Sequence, residues 1–433
     1  MMAFSKYPKY IDSGTIFGNI PACWRTVRLG FISEVIDPQP DHRAPAIATG
    51  NGFAYIGIRD VNKDGSLCFE TARQVVEKAV LKQEKSFSIE PKDILFGKVG
   101  TLGQPKHIKP HGRFALSATL VLIKGKRNID RDFLKYALDS RIIYEQIENC
   151  SYGATRPALG IQQIRKLLLP VPHIEEQKRI AKFLDRKTAE IDQAIAQKQR
   201  LIELLQEQKA ILINQAVTKG LNPDVPMRDS GIKWIGKIPK HWETRKAKYL
   251  FKEVDERSKT GREELLSVSH MTGVTPRSEK NVSMFMAEDY SGSKLCQKDD
   301  LVINIMWAWM GALGVSTQTG IVSSSYGVFR QIKPNTFNSW YLEHLLRSTE
   351  YVAEYNCRST GLHSSRLRLY AHMFLSLEVT FPPKEEQNRI EDVTSERTAE
   401  IDKALDAVKR EIKTLEELRS ITVSQAVTGK IKI

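Results

Sequence analysis

The sequence predicts an α+β chain built twice over. Two pseudo-repeated globular heads, each β-rich with its own helix, are separated by two long helices that pair as an antiparallel coiled coil about a pseudo-twofold axis. Three observations predict this. Motifs recur at an offset of 210 residues, each copy ends in a polar stretch with an apolar stripe, and short alternating apolar runs fill the span before it.

The repeat comes first because it sets the register of everything else. Ser13 to Thr26 (SGTIFGNIPACWRT) returns as Ser230 to Thr244 (SGIKWIGKIPKHWET) with one residue inserted. Glu175 to Ile180 (EEQKRI) returns as Glu385 to Ile390 (EEQNRI), Thr188 to Asp192 (TAEID) as Thr398 to Asp402, and Gln215 to Thr218 (QAVT) as Gln425 to Thr428. The chain therefore divides into a first head with an N-terminal extension (1–172), a first helical spacer (173–220), a linker (221–229), a second head (230–383) and a second helical spacer (384–433).

The helices are the most readable elements. Ile180, Leu184, Ile191, Ile195, Ile202, Leu205 and Leu212 fall on a 3.5-residue period, and Ile390, Ile401, Leu405, Ile412 and Leu415 occupy equivalent places. Pro170 and Pro172, like Pro382 and Pro383, stop the preceding strand, and Glu175-Glu176 or Glu385-Glu386 put negative charge on the first turn. Gly220 and Gly429 mark the exits. A single apolar stripe on a helix about 60 Å long needs a partner. The other copy in the same chain is the simplest, a second chain the alternative.

Within the heads, strands are expected at Ala54 to Ile58, Asp93 to Phe96, Ala118 to Ile123, Leu265 to Val268, Leu301 to Ile305 and Ser325 to Ile332. One helix is expected in each, near Phe133 to Glu148 and Trp340 to Tyr355. Leu301 to Phe329 is uncharged, but Ser, Thr and Gly fill its second half, so it predicts a buried hairpin rather than a membrane span. Trp307 and Trp309 alternate as in a strand, one toward the core and one away.

Charge points to the kind of partner. The chain has 433 residues, 65 Lys+Arg against 51 Asp+Glu, a net charge of +14 and a pI near 9.4. The two helical spans together carry −3, so the heads and their flanks hold +17. Basic heads on a spacer fit a polyanion read at two places. The amino terminus lacks an export signal, so the expected compartment is the cytoplasm, with Cys23, Cys68, Cys150, Cys296 and Cys357 reduced and mostly buried.

The loops between strands hold the candidates for contact with phosphates and base edges. In the first head these are Arg59, Lys98, Lys106, His107, Arg113, Tyr152, Thr155 and Arg156. In the second they are His270, Arg277, Ser324, Tyr326, Arg358, His363, Arg366 and Arg368. Tyr152 to Pro157 aligns with Thr360 to Arg366 as a glycine-hinged loop with hydroxyls and an arginine.

Catalytic patterns are weak. Asp37-Pro38-Gln39-Pro40 lacks the aromatic residue an amino-methyltransferase motif needs, and Gly97, Gly100 and Gly103 have the wrong spacing for a nucleotide loop. Glu176-Gln177-Lys178 falls on a helix start, and its repeat has no lysine. His107 and His111 have no third metal ligand, so neither a catalytic nor a metal site is expected.

Taken with the Trp234 to Trp242 segment, the two EEQ helix starts, the two TAEI elements and the QAVT exits, the chain resembles the specificity (S) subunits of type I restriction-modification systems. The resemblance runs over essentially the whole length. It departs where Phe17 and Cys23 stand in place of Trp234 and His241. It implies that the heads are target recognition domains, each reading one half of an asymmetric bipartite site on double-stranded DNA. It further implies that the helices set the gap and dock two methyltransferase subunits, which restriction/translocase subunits join. S-adenosylmethionine, Mg2+ and ATP are then expected in those partners and no cofactor in this chain, which has no membrane role. The competing reading is a coiled-coil scaffold whose basic heads bind RNA or protein.

Overall fold

The computed structural model describes residues 5–41, 43–151, 157–279, 289–361 and 367–433. Contacts divide the chain into two compact units, Met1–Gln199 with Lys409–Ile433, and Arg200–Val408. Each unit holds one head, the start of the long helix that follows it and the end of the other long helix.

In the first unit, strands Ser33–Ile36, Leu120–Gly125, Ile94–Gly97 and Gly103–His107 form an antiparallel sheet in that order. Its two inner strands are apolar on both faces, because each face is covered. Ile94, Phe96, Val121 and Ile123 point into the cluster formed with the head's helices. Leu95, Leu120 and Leu122 point the other way, onto Ala54, Ile56, Phe114 and Leu116 of a second sheet. That sheet joins Arg73–Val75, Phe53–Ile56 and Phe114–Leu116, the last pair parallel.

The second unit repeats the plan with strands Phe251–Glu253, Gly327–Gln331, Leu301–Ile303 and Leu313–Val315. Leu301 pairs with Val315, so the uncharged run is a buried hairpin as expected. Among the described residues no helix is long and apolar enough to cross a membrane.

The single helix expected in each head is two. Arg131–Leu138 is followed by Arg141–Ser151, and Ser339–Leu346 by Thr349–Arg358. Asp130 and Asn338 cap the first of each pair, accepting from the backbone N–H of Phe133 and Tyr341 at 2.9 Å. Serine ends them: the Ser140 hydroxyl donates back to the Ala137 carbonyl at 2.7 Å, and Ser348 is the N-cap of the next helix. The cysteines also differ from expectation, since Cys23, Cys150 and Cys357 are exposed and only Cys296 is buried. Free thiols of this size pack in cores or at surfaces without needing a partner.

The long helices are Ile174–Lys219 and Lys384–Val427. In the first unit Arg419 pairs with Asp192 at 2.9 Å and Lys198 with Glu411 at 2.5 Å, rising numbers meeting falling ones. In the second, Lys209 meets Asp402 at 2.6 Å. Ile180, Leu184 and Ile390 are fully buried, and the other seam positions are buried or half-buried.

The repeated motifs are buried clamps. Gln177 accepts from the Asp130 N–H at 2.8 Å and donates to the Pro172 carbonyl at 2.9 Å. Gln387 does the same with Asn338 and Pro382, at 2.8 and 2.9 Å. Ala216 and Val217 lie in the second head's core, while Ala426 and Val427 lie in the first head's. Each head is thus closed by the exit of the other repeat's helix. Gly429 has a left-handed φ of 70°, and a side chain there would lie 2.5 Å from the Pro21 ring.

Candidate nucleic-acid interface

In both heads the turn leaving the inner strand lies beside the segment that follows the glycine-hinged loop. In the first head, the Gly100 N–H donates to the Pro157 carbonyl at 3.0 Å and the Leu159 N–H to the Lys98 carbonyl at 2.8 Å. Glycine is required at the start of this turn, since a Cβ on Gly97 would sit 2.1 Å from the Thr101 carbonyl oxygen. In the second head the Leu369 N–H donates to the Ile305 carbonyl at 3.0 Å, and Thr360 pairs with Arg368. The loops between, with Tyr152, Thr155, Arg156, His363 and Arg366, lie outside the described residues.

Around the first turn three cations remain available. Arg59 is exposed on the one-turn helix Ile58–Asp60. Gly57, which begins that turn, sits beside the hydroxyls of Ser117 and Thr119, and the Thr119 carbonyl accepts the Lys98 N–H at 2.9 Å. Lys106 donates to the Val61 carbonyl at 2.6 Å, and burial together with the nearby charge of Lys63 lowers its pKa. Among the described residues, no carboxylate lies within ion-pair distance of Arg59, Lys63 or Lys106. A phosphate could supply what they lack.

Four predicted contacts are engaged inside the protein instead. Lys98 is 2% exposed with its ammonium on Asp37, so it pins the turn rather than reaching outward. His107 bonds the Lys92 carbonyl at 2.9 Å and faces Asp132 at 3.1 Å. Arg113 forks onto Glu84 at 2.9 and 2.8 Å, reaches Glu77 at 2.6 Å and lies over the Phe53 ring. Arg358 holds Glu354 at 2.5 Å and Ser376 at 2.9 Å. Each found a carboxylate, and a satisfied fork has little left for a ligand.

The second head gathers Arg277, Ser324 and Tyr326. Tyr326 is half-buried, which raises its pKa, while the charge of Arg277 lowers it. Its hydroxyl accepts from Asn304 Nδ2 at 3.2 Å. Ser324 is exposed, and Arg368 spends one N–H on the Leu367 carbonyl at 3.0 Å. His270 is not part of this group: it lies on the hairpin end opposite Arg277, where its carbonyl accepts from Arg347.

Sequence reasoning missed Asn304 and Lys63. Asn304 carried a signal, as the one amide in an otherwise apolar run, 5% exposed. It also misplaced the tryptophans. Trp307 and Trp309 lie in and beside a one-turn helix, Ala308–Met310, closed by Gly311 at φ 80°. The strand alternation therefore breaks, and Trp307 is 47% exposed.

This geometry can now be set beside known proteins. Residues 21–204 match the family model of the type I restriction modification DNA specificity domain. The chain is 24% identical over 434 residues to the type I restriction enzyme MjaVIII specificity subunit of Methanocaldococcus jannaschii, covering 96% of this chain and 94% of the relative. It is 23% identical over 339 residues to the putative MjaX specificity subunit of the same organism, covering 72% and 71%. A chain solved in work on the assembly and conformational transition of the type I R-M system superposes with a TM-score of 0.64 at 17% identity, covering 95% of this chain and 99% of that one, which supports the α+β fold. Residues 21–204 thus resemble a type I restriction modification DNA specificity domain, and the relatives that match along the chain are type I restriction enzyme specificity subunits.

Proposed function

We propose that the chain is the non-catalytic sequence-specificity subunit of a type I restriction-modification complex. Each head reads one half of an asymmetric bipartite site on double-stranded DNA. The two long helices form an antiparallel coiled coil with a pseudo-twofold, which sets the gap and docks two methyltransferase subunits. Restriction/translocase subunits join that assembly, and S-adenosylmethionine, Mg2+ and ATP act in those partners. The domain bounds 1–172, 173–220, 221–229, 230–383 and 384–433 describe the working parts of this reading.

The observation that carries it is a shared frame with unlike turns. Gln177 and Gln387 make the same bonds in both heads, yet the groups these heads gather differ: Arg59, Lys63 and Lys106 in the first, Asn304, Tyr326 and Arg277 in the second. A frame that repeats while its outward groups differ suits two different half-sites. Major grooves recur on one face of DNA every ~34–36 Å, so a rigid spacer translates into a fixed gap.

The test is to co-express the chain with its cognate methyltransferase subunit and map methylated adenines across a genome by long-read sequencing. A bipartite motif with a constant unspecified gap is expected. A stable complex whose methylation follows no such motif, on a library holding every half-site pair, would overturn the reading in favour of a scaffold.

A further inference from the structure

The turn between Leu301–Ile303 and Leu313–Val315 exposes two large apolar side chains, Trp307 and Met310, on one short segment. Trp307 stacks on Trp309 with centroids 5.9 Å apart and planes 22° from parallel. Trp309 is itself fixed, its indole N–H donating to the Met306 carbonyl at 3.1 Å. Backbone bonds hold the turn throughout: Trp307 N–H to Asn304 O at 2.9 Å, Met310 N–H to Trp307 O at 3.0 Å, and Gly311 N–H to Ala308 O at 2.7 Å. Ala308 is fully buried beneath it, while Met310 is 37% exposed. A large apolar group held out of an adjacent core by a rigid turn is placed for contact, since burial was available nearby.

The chemistry of the surroundings narrows the occupant. From Ile305 to Leu313 there is no charged residue, so the turn itself has nothing to offer a phosphate. At its start Asn304 bonds the half-buried Tyr326, whose hydroxyl also feels the charge of Arg277, and the Leu369 N–H holds the Ile305 carbonyl. An exposed aromatic face next in sequence to the Asn304–Tyr326 pair, on a turn joined through Ile305 to the segment after the glycine-hinged loop, matches an unstacked base, whose face stacks and whose edges bond. The matching turn of the first head, Lys98-Val99-Gly100-Thr101-Leu102, has no aromatic residue.

We propose that Trp307 is a stacking wedge, inserted at one base step of the half-site read by the second head and absent from the first. The inference rests on the DNA-reading function proposed above. It adds that the second half-site is recognised partly through how easily one of its steps unstacks. Pyrimidine–purine steps, which kink readily, are the favoured substrate for such a wedge.

The experiment uses the full chain in complex with its methyltransferase subunit and duplexes carrying the mapped site, with 2-aminopurine placed in turn at each position of both halves. Apart from the target adenines and their neighbours, where the methyltransferase subunits extrude a base in either half, fluorescence rises on binding at one step of the second half and at none of the first. Trp307→Ala abolishes that rise and weakens binding about tenfold, Trp307→Phe restores most of both, and methyltransferase assembly is unchanged. Two results overturn the wedge: a Trp307→Ala complex that binds the site as the parent does with unaltered fluorescence, or one that loses methyltransferase assembly while DNA binding persists. The second would make the patch a protein contact. If the parent complex shows no preference for the mapped site, DNA reading itself fails, and the wedge with it.

Discussion

The first head holds its buried Asp93 between two separate cations, Lys124 at 3.3 Å and Arg131 at 3.4 Å, whereas the second holds Asp300 in one guanidinium, Arg330, through two bonds of 2.8 Å. In both, the second carboxylate oxygen also accepts a backbone N–H, from Glu90 or Gln297 at 2.8 Å. The same corner of the sheet is thus closed by different residues. The difference teaches that the frame is selected for geometry rather than for particular cations, which leaves the outward turns free to diverge.

That comparison breaks most visibly at Arg330. Arg330→Leu leaves Asp300, 1% exposed, without a cation, an arrangement that costs about 3–5 kcal/mol. Lys124→Leu leaves Arg131 in place and costs about 1 kcal/mol. Two heads need not unfold together, so hydrogen exchange resolved by peptide is the suitable measurement. Protection should collapse over 297–303 and 327–331 in the first variant and stay near parental over 93–97 and 120–125 in the second. Equal losses would mean that redundancy in the first head is illusory.

The glutamines sharpen the opposite side of the comparison. Gln177 is 1% exposed and Gln387 fully buried, and each joins a helix start to the loop before the head's own helix. Truncation to Ala leaves a backbone N–H and a carbonyl unpaired, so each should cost about 2–3 kcal/mol. The two costs should agree within about 0.5 kcal/mol if the frames are equivalent. A twofold disparity in the stability lost by the two heads would show that the repeat preserves sequence without preserving energetics.

These same positions explain what was legible in the sequence. Gln177 and Gln387 and the two Ala-Val-Thr exits recur because both copies impose the same buried hydrogen bonds and the same close packing, while Thr188 and Thr398 share burial but not bonds: Thr188 donates to the Leu184 carbonyl and meets Tyr136, Thr398 donates to the Ser395 carbonyl. Strand positions were legible because alternate faces of one sheet are both covered, producing unbroken apolar runs. The candidate interface was less so. Lys98, His107 and Arg113 look available in a loop-by-loop reading, but they choose partners brought from far along the chain, Asp37, Asp132 and Glu84 with Glu77, whereas Arg358 pairs with Glu354 one helical turn back, a spacing the sequence did show. No local pattern encodes the first three encounters. The Trp307 turn fails for a related reason: the strand stops at Ile303, and the tryptophans fall on a one-turn helix closed by the left-handed Gly311.

A smaller asymmetry should appear in acid. In the first head His107, and after it Lys92, hold the Asp132 carboxyl down to about 2, against partial burial that opposes them. In the second head Asp299, at the place of Lys92, instead accepts from the Ser339 hydroxyl at 2.7 Å. A carboxyl whose pKa is lower folded than unfolded favours the folded state when ionised. Its contribution is complete above the unfolded value near ~4 and is lost as the pH falls through about 2. Because Asp132 is only partly buried, solvent screening keeps that contribution below about 1 kcal/mol. Relative to the intrinsic amide rate at each pH, exchange over 103–107 and 131–138 should therefore accelerate between pH 4 and pH 2 in the parent chain, beyond what the second head's matching strand and helix show. Asp132→Asn should start at the faster rate and lose that extra pH dependence. A variant that kept the full acid slope would place the sensitivity elsewhere, with Glu90 and its contacts to Arg131 and Lys124 as the next group to remove.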